Sequence, residues 1–269
     1  MNKKGLTGFQ LKIIGLILMV FDHIHELFGF TGNIPIAFNW VGRIVAPIFI
    51  FMTVEGYTHT RSKKKYMLRL YLGSIVMIIG TELITKYFHR TDNLALMNNI
   101  FATLFMITVY LCIIDLIKKS IKEKNTLKIF LGVLLFILPI ALDVFFVMNM
   151  DLFMSTEILK YLVFIVPTPM LVEGGPVFVI IGIVMYLLKD NRNKLIITYV
   201  IICIALMFTG TFTLKALLFK NYQWMMIFAA LLFYLYNGEK GKGMKYLFYV
   251  FYPAHIYIFY IISCYMMNK

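Results

Sequence analysis

From residue 9 onward, long apolar runs alternate with short polar clusters. A helix needs about 20 mostly apolar residues to cross a bilayer. Such runs lie near 9–29, 38–58, 66–88, 97–117, 128–149, 175–189, 195–210, 222–236 and 246–267. The pattern predicts an all-α polytopic membrane protein with about nine transmembrane helices, eight and ten being the neighbouring counts. No internal repeat, low-complexity tract or long linker divides the runs, so 1–269 reads as a single integral-membrane domain. The stretch EILKYLVFIVPTPML at 157–171 is apolar enough to suggest a further span. Pro167 and Pro169 interrupt it, and a crossing there would send later basic stretches to the opposite side. It is expected to be an interfacial or re-entrant helix.

Composition strengthens the membrane reading. The chain is 61% hydrophobic and 14% charged, against roughly 45–50% and 25% in soluble domains. The first apolar segment is too long and too acidic for a cleaved signal peptide. The net charge of +13 sits mostly in MNKK at the start, RSKKK at 61–65, KKSIKEKNTLK at 118–128, KDNRNK at 189–194 and EKGKGMK at 239–245. The connections around 30–37, 148–157 and 210–214 nearly lack Lys and Arg, with Lys86 and Arg90 as mild exceptions. By the positive-inside rule the N-terminus and all five basic stretches are cytoplasmic. That distribution follows from topology and gives no reason to expect nucleic acid as a partner. Cys112, Cys203 and Cys264 lie in apolar runs without metal-like spacing, so no metal site is expected.

Against this background the stretch FDHIHE at 21–26 stands out. Each charge in a hydrocarbon layer costs about 2.5–3.5 kcal/mol on insertion scales. Counting inward from residue 9 at 1.5 Å per residue, His23 lies roughly 20 Å from the cytoplasmic face. Arg43, Glu82, Asn98, Asn99, Asp143 and Glu173 reach a similar depth, and His255 lies near mid-membrane. Such groups can simply bond to neighbouring helices. Two histidines, an arginine and several carboxylates at one level also suit a hydrated site with proton chemistry. Asp22 and His23 project about 100° apart on a helix, so Asp22 need not touch the ring. Glu26, one turn later, is placed to orient His23, while His25 points elsewhere. A second layer is cytoplasmic: Glu55, His59, Arg61, Lys63 to Lys65, Arg69 and Asp115, with Lys240, Lys242 and Lys245. It reads either as a topology signal or as an anion site for a nucleotide.

Several segments resemble the TraX family of bacterial membrane proteins. They are FDHI at 21–24, RIVAPIFIFMTVEGYTHTRSKKKYMLRL at 43–70, NNIFATLFM at 98–106 and YNGEKGKGMKYLFYVFYPAHIYIFYII at 236–262. The resemblance runs over nearly the whole chain, with the motifs in order. The family is named for a protein that N-acetylates the amino terminus of conjugative pilin, and it is distantly similar to transmembrane acyltransferases. It implies a multi-pass bacterial inner-membrane enzyme that moves an acetyl group from cytoplasmic acetyl-CoA to an acceptor at or beyond the membrane. It implies His23, Asp22, Arg43 and His255 as catalytic residues. It implies Glu55, Arg61, Lys64, Arg69, Asn98, Asn237 and Tyr252 as residues for the co-substrate. His25 departs from the pattern, since a small residue is expected there.

The acceptor that the resemblance points to is the amine of a pilin-like or membrane peptide, arriving from the outer side or from the lipid. A cell-envelope sugar or lipid is the alternative acceptor. Direct transfer and an acetyl-histidine intermediate both stay open. A proton-coupled transporter would also bury carboxylates and histidines, although no paired repeat marks one here.

Overall fold

The computed structural model describes residues 4–92 and 94–268, without the side chains of Glu157 and Lys245. Lys3 of the first basic stretch and the Lys245 side chain therefore lie outside the described residues. The helices are α1 (Gly8–Phe28), α2 (Ala37–Gly42), α3 (Val45–His59), α4 (Lys63–Tyr87), α5 (Ile100–Lys122) and α6 (Thr126–Met148). There follow α7 (Met150–Met154), α8 (Glu157–Ile165), α9 (Gly175–Leu187), α10 (Arg192–Met207), α11 (Leu214–Phe219), α12 (Ala229–Leu235) and α13 (Lys245–Met267). A 3₁₀ turn over Gln223–Phe228 leads into α12. Among the described residues there is no strand, only an isolated bridge between Leu6 and Tyr236.

Among the described residues, six helical stretches are long and apolar enough to cross a membrane: Gly8–Thr31, Ala37–His59, Lys63–Tyr87, Ile100–Lys122, Thr126–Met148 and Tyr246–Met267. The other three expected spans are shorter. Gly175–Leu187 and Gln223–Leu235 each cover 10–17 residues, and α10 has 16. The reasons are local. Gly174 and Gly175 take positive φ just before α9, and the polar run Thr209–Thr213 stops α10. The 157–171 stretch forms only the nine-residue α8, about 13 Å long, which is too short to cross. Val166 ends it, just ahead of Pro167.

The chain divides into two compact units. The first comprises Met1–Met52, Gly80–Leu96 and Leu187–Lys269; the second comprises Thr53–Ile79 and Met97–Tyr186.

In the first unit, Thr7 caps α1 in a reciprocal box with Gln10: each side chain serves the other's backbone N–H. The buried face of α1 carries Leu11, Leu16, Met19, His23 and Leu27, a spacing that keeps one stripe inward. α1 lies along α13 in the same direction. Phe9 meets Phe248 at 6.3 Å between ring centroids, His23 meets His255 at 4.8 Å, and Phe28 meets Phe259 at 5.8 Å. Elsewhere in this unit, Arg192 donates to the carbonyls of Phe233 and Tyr236. Asn221 donates to the carbonyl of Leu206, which ties the two ends of α10 to the turns around α12.

The second unit is built on α5, whose residues are buried along most of its length. Asn99 caps it, accepting from the Ala102 N–H. α6 lies against it, with Gly132 facing Ile117 too closely for any side chain. Asp143 accepts the Met170 N–H at 3.1 Å on both oxygens. Glu173 accepts the Asn99 N–H at 2.8 Å. Two carboxylates that depth alone grouped with the histidines thus serve backbone amides in turns, a common way to satisfy a buried N–H.

Candidate active site

The site grows from α1. Thr7 fixes where the helix starts, and the apolar stripe then places His23 on the buried face, 5% exposed. α13 presents His255, 6% exposed, at the same level. Nδ1 of His23 and Nε2 of His255 are 2.7 Å apart, and Nδ1 of His255 is 2.7 Å from the carbonyl oxygen of Phe251.

Chemistry assigns the protons. A carbonyl oxygen only accepts, so His255 must donate from Nδ1. In a neutral ring its Nε2 then accepts, and His23 must donate to it from Nδ1. The proton-accepting position of neutral His23 is therefore Nε2. That atom faces Glu26 Oε2 at 3.7 Å, where a carboxylate attracts an imidazolium. Tyr252 stands edge-on to both rings, with centroids 6.4 Å from His23 and 6.0 Å from His255. Phe251 stacks on His255 at 4.8 Å.

Asp22 turns away from the ring toward α2. Nη2 of Arg43 lies 2.8 and 3.1 Å from its two oxygens. Arg43 also donates from Nε to the Asn39 carbonyl and from Nη1 to Gln223. It sits where the helical path breaks between α2 and α3, in turn conformation. Gly42 makes the approach of α1 to α2 possible: a Cβ there would lie 2.1 Å from Asp22 Cγ. Among the sequence candidates, the fold thus joins His23 to His255 and Tyr252, and Asp22 to Arg43, as two adjacent pairs on α1.

The co-substrate candidates are distributed differently. Arg61, Lys64 and Arg69 are exposed on the α3–α4 connection and the start of α4. The Arg69 guanidinium lies over the Tyr66 ring at 5.9 Å. Glu55 Oε2 is 3.9 Å from His59 Nδ1, and Asn98 precedes the cap of α5. All five belong to the second unit, whereas Asn237 and Tyr252 belong to the first. Asn237 shapes its own turn, accepting the Glu239 N–H at 2.9 Å on its side-chain oxygen. Among the described residues no His, Cys, Asp and Glu cluster suits a metal.

Sequence reasoning missed Gln223, Gly42 and the role of Arg90. Arg90 is 6% exposed. It grips Asp92 with Nε at 2.9 Å and Nη2 at 2.6 Å. Its Nη1 donates to the Leu27 carbonyl at 2.8 Å and to Ser263 Oγ at 2.6 Å. It therefore ties α1 to α13 one turn beyond His23. The signal was its misfit: an arginine in a connection expected to lie outside, with an aspartate two residues on.

A family model described as TraX protein matches residues 7–263. The chain is 26% identical over 258 residues to "Probable fimbrial assembly protein FimC, serogroup H1" of Dichelobacter nodosus, and the match covers 93% of each chain. No solved structure matches it. The family match includes both histidines, the Asp22–Arg43 pair and Arg90, and with that coverage the chain belongs to the TraX family.

Proposed function

We propose that the protein is an acetyltransferase of the bacterial inner membrane. It moves the acetyl group of acetyl-CoA to the amino terminus of a pilin-like or membrane peptide. The observation that carries this reading is the histidine pair, whose hydrogen bonds leave His23 Nε2 as the proton acceptor. Family membership and the fimbrial-assembly name of a relative fit the same reading.

In the proposed reaction His23 Nε2 takes a proton as the peptide amine attacks the thioester carbonyl. His255 holds the ring in the required tautomer through Nδ1. The imidazolium so formed faces Glu26. As the tetrahedral intermediate collapses, the C–S bond breaks and His23 returns the proton to the leaving thiolate. The products are the N-acetyl peptide and free coenzyme A. A general base of this kind contributes typically 10²–10⁴-fold. Arg43, held by Asp22 next to His23 in the chain, is assigned to the developing oxyanion. Arg61, Lys64 and Arg69, with Glu55 and Asn98, are assigned to the nucleotide, for which exposed guanidinium groups are suited.

The topology proposed with this reading is nine crossings with a cytoplasmic N-terminus. It is supported by the common direction of α1 and α13, which requires an odd total. It is also supported by Arg192, at the start of α10, which bonds the carbonyls of Phe233 and Tyr236. Tyr236 bridges to Leu6 just before α1. At the other end of α10, Asn221 joins Leu206, while Tyr222 and Gln223 bond to Asn39 and Arg43. α10 and the Gln223–Leu235 stretch thus run between the two ends of α1, and α9 supplies the remaining crossing.

The test is acetyl transfer from labelled acetyl-CoA to a pilin-like N-terminal peptide by purified protein, with His23→Ala beside it. Wild type should transfer. The variant should lose at least about 100-fold in rate while still binding coenzyme A. A well-inserted variant of full activity would remove the base from His23, and a wild type that never binds coenzyme A would remove the acetyltransferase reading.

A further inference from the structure

The histidines lie on the seam between α1 and α13, and the same seam carries a charge that the reaction above leaves unused. Lys12 is 11 residues before His23. At 100° per residue that is about three full turns, so both project from nearly the same face of α1, roughly 16 Å apart. On α13, Phe248 is seven residues before His255, again close to one face. The Lys12 ammonium lies 5.3 Å from the centre of the Phe248 ring. The seam therefore has a cation at one end and the proton acceptor at the other.

A second cation comes close to the first. Lys240 is carried by the loop between α12 and α13, and its backbone carbonyl accepts the Phe9 N–H, one helical turn before Lys12. That loop is held in place by backbone bonds. Leu6 N–H donates to the Leu235 carbonyl at 2.8 Å, and Asn237 N–H to the Leu6 carbonyl at 2.9 Å. Gly8 N–H donates to the Glu239 carbonyl at 2.8 Å, and Phe9 N–H to the Lys240 carbonyl at 3.0 Å. These bonds also occupy amides that the first turn of α1 would otherwise leave unpaired. Gly241, with φ of +70°, permits the close pass: a Cβ there would come within 2.6 Å of Thr7 Oγ1. The Lys240 backbone is thus held one helical turn from Lys12 on α1.

Lys12 is half-buried and Lys240 exposed, and a half-buried cation with a like charge close by is costly. Glu239, the acid of the same loop, makes no ion pair with either lysine, and neither lysine has another acidic partner among the described residues. A bound anion would remove that cost. Two ammonium groups with unused donors suit the oxygens of a phosphate ester. The extended phosphopantetheine arm of coenzyme A is comparable in length to the distance along α1 from Lys12 to His23.

We propose that Lys12 and Lys240 bind a phosphate ester at the inner end of the α1–α13 seam, and that it is a phosphate of the acyl carrier whose thioester reaches His23. This assignment rests on the acetyltransferase reading. A phospholipid headgroup offers the same chemistry, so the experiment has two arms. In the first, coenzyme A binding to purified full-length protein is measured for wild type, Lys12→Gln, Lys240→Gln and Lys12→Arg. In the second, the same proteins are tested for retention of phosphatidylglycerol over phosphatidylcholine from mixed vesicles.

Each glutamine variant should weaken coenzyme A binding about tenfold, as expected for a charge-assisted phosphate contact. Lys12→Arg should bind like wild type and also controls for insertion, and lipid retention should not change. Unchanged coenzyme A affinity in both glutamine variants would overturn the proposal. Loss of phosphatidylglycerol retention with coenzyme A affinity intact would overturn the acyl-carrier assignment and give the site to a lipid. A wild type that binds no coenzyme A, with lipid retention lost in the variants, would sink the acetyltransferase reading and leave the phosphate site standing.

Discussion

The histidine pair of the first unit and the Asp115 cluster of the second are both polar groups inside apolar helices, and they are satisfied in opposite ways. Asp115 receives the Tyr57 hydroxyl at 3.0 Å, the Lys63 ammonium at 2.5 Å and the Tyr186 hydroxyl. Its donors come from α3, α4 and α9, so one carboxylate on α5 joins three further helices. Lys63 also lies over the Tyr57 ring and Lys118 over the Tyr186 ring. Every contact converges on an acceptor, and none leaves a proton with somewhere to go. The histidines instead form a directional chain from Phe251 through His255 to His23. A converging knot stabilises one arrangement, whereas a directional chain prepares one atom for a change of protonation.

The largest effect is expected at His255. Replacing it with Phe removes the acceptor for His23 Nδ1–H and frees the tautomer. Acetyl transfer should fall about 100-fold at constant coenzyme A affinity, in the range of general-base effects. His255→Gln, whose carbonyl oxygen can accept the same hydrogen bond, should fall less. Equal rates for the two variants would show that His255 fills space and does not set the tautomer.

At Asp115 the expected effect is on stability. Asp115→Asn weakens three bonds and leaves Lys63 without its ion-pair partner. Hydrogen bonds to a charged group contribute about 1.5–3 kcal/mol in favourable cases. Partial exposure of both partners places the loss at the lower end. Thermal unfolding in detergent should shift down, with kcat per folded molecule unchanged. A wild-type melting temperature with lost turnover would reverse the roles assigned to the two clusters.

The smallest effect concerns Asp92, outside the spanning segments. Hydrogen bonding to Arg90 lowers its carboxyl to about 2, below the unfolded value of about 3.9. A lowered acid stabilises the fold above its unfolded pKa and loses that contribution as pH falls through the folded one. The stabilisation should be complete above about pH 4 and fade toward about pH 2. Asp92→Asn should flatten that acid limb in a melting-temperature profile. An unchanged limb would mean that the Arg90–Asp92 pair does not hold the connection closed at low pH.

Much of this was legible in the sequence, for physical reasons. Charged residues in a hydrocarbon run are costly, so FDHIHE announced itself, and His255 followed from its motif. The break between α2 and α3 at Arg43 did not, because Gly42 and Ile44 sit in an otherwise continuous apolar run. Depth counting grouped Asp143 and Glu173 with the histidines, since depth does not reveal that a carboxylate is taken by a backbone amide. Charge counting treated Arg90 as an exception in a loop because sequence does not show that it is buried against α1 and α13. The run at 157–171 is apolar enough for a span, but its prolines pointed to an interfacial or re-entrant helix, and the helix does end at Ile165, ahead of them.

His255 makes Nε2 of His23 the proton acceptor. Nitrogen NMR of ¹⁵N-histidine-labelled protein in bilayers near neutral pH reads this directly. Both rings should carry their proton on Nδ1, with a coupling across the hydrogen bond from His23 Nδ1 to His255 Nε2. A His23 ring protonated at Nε2 and bare at Nδ1 would contradict it.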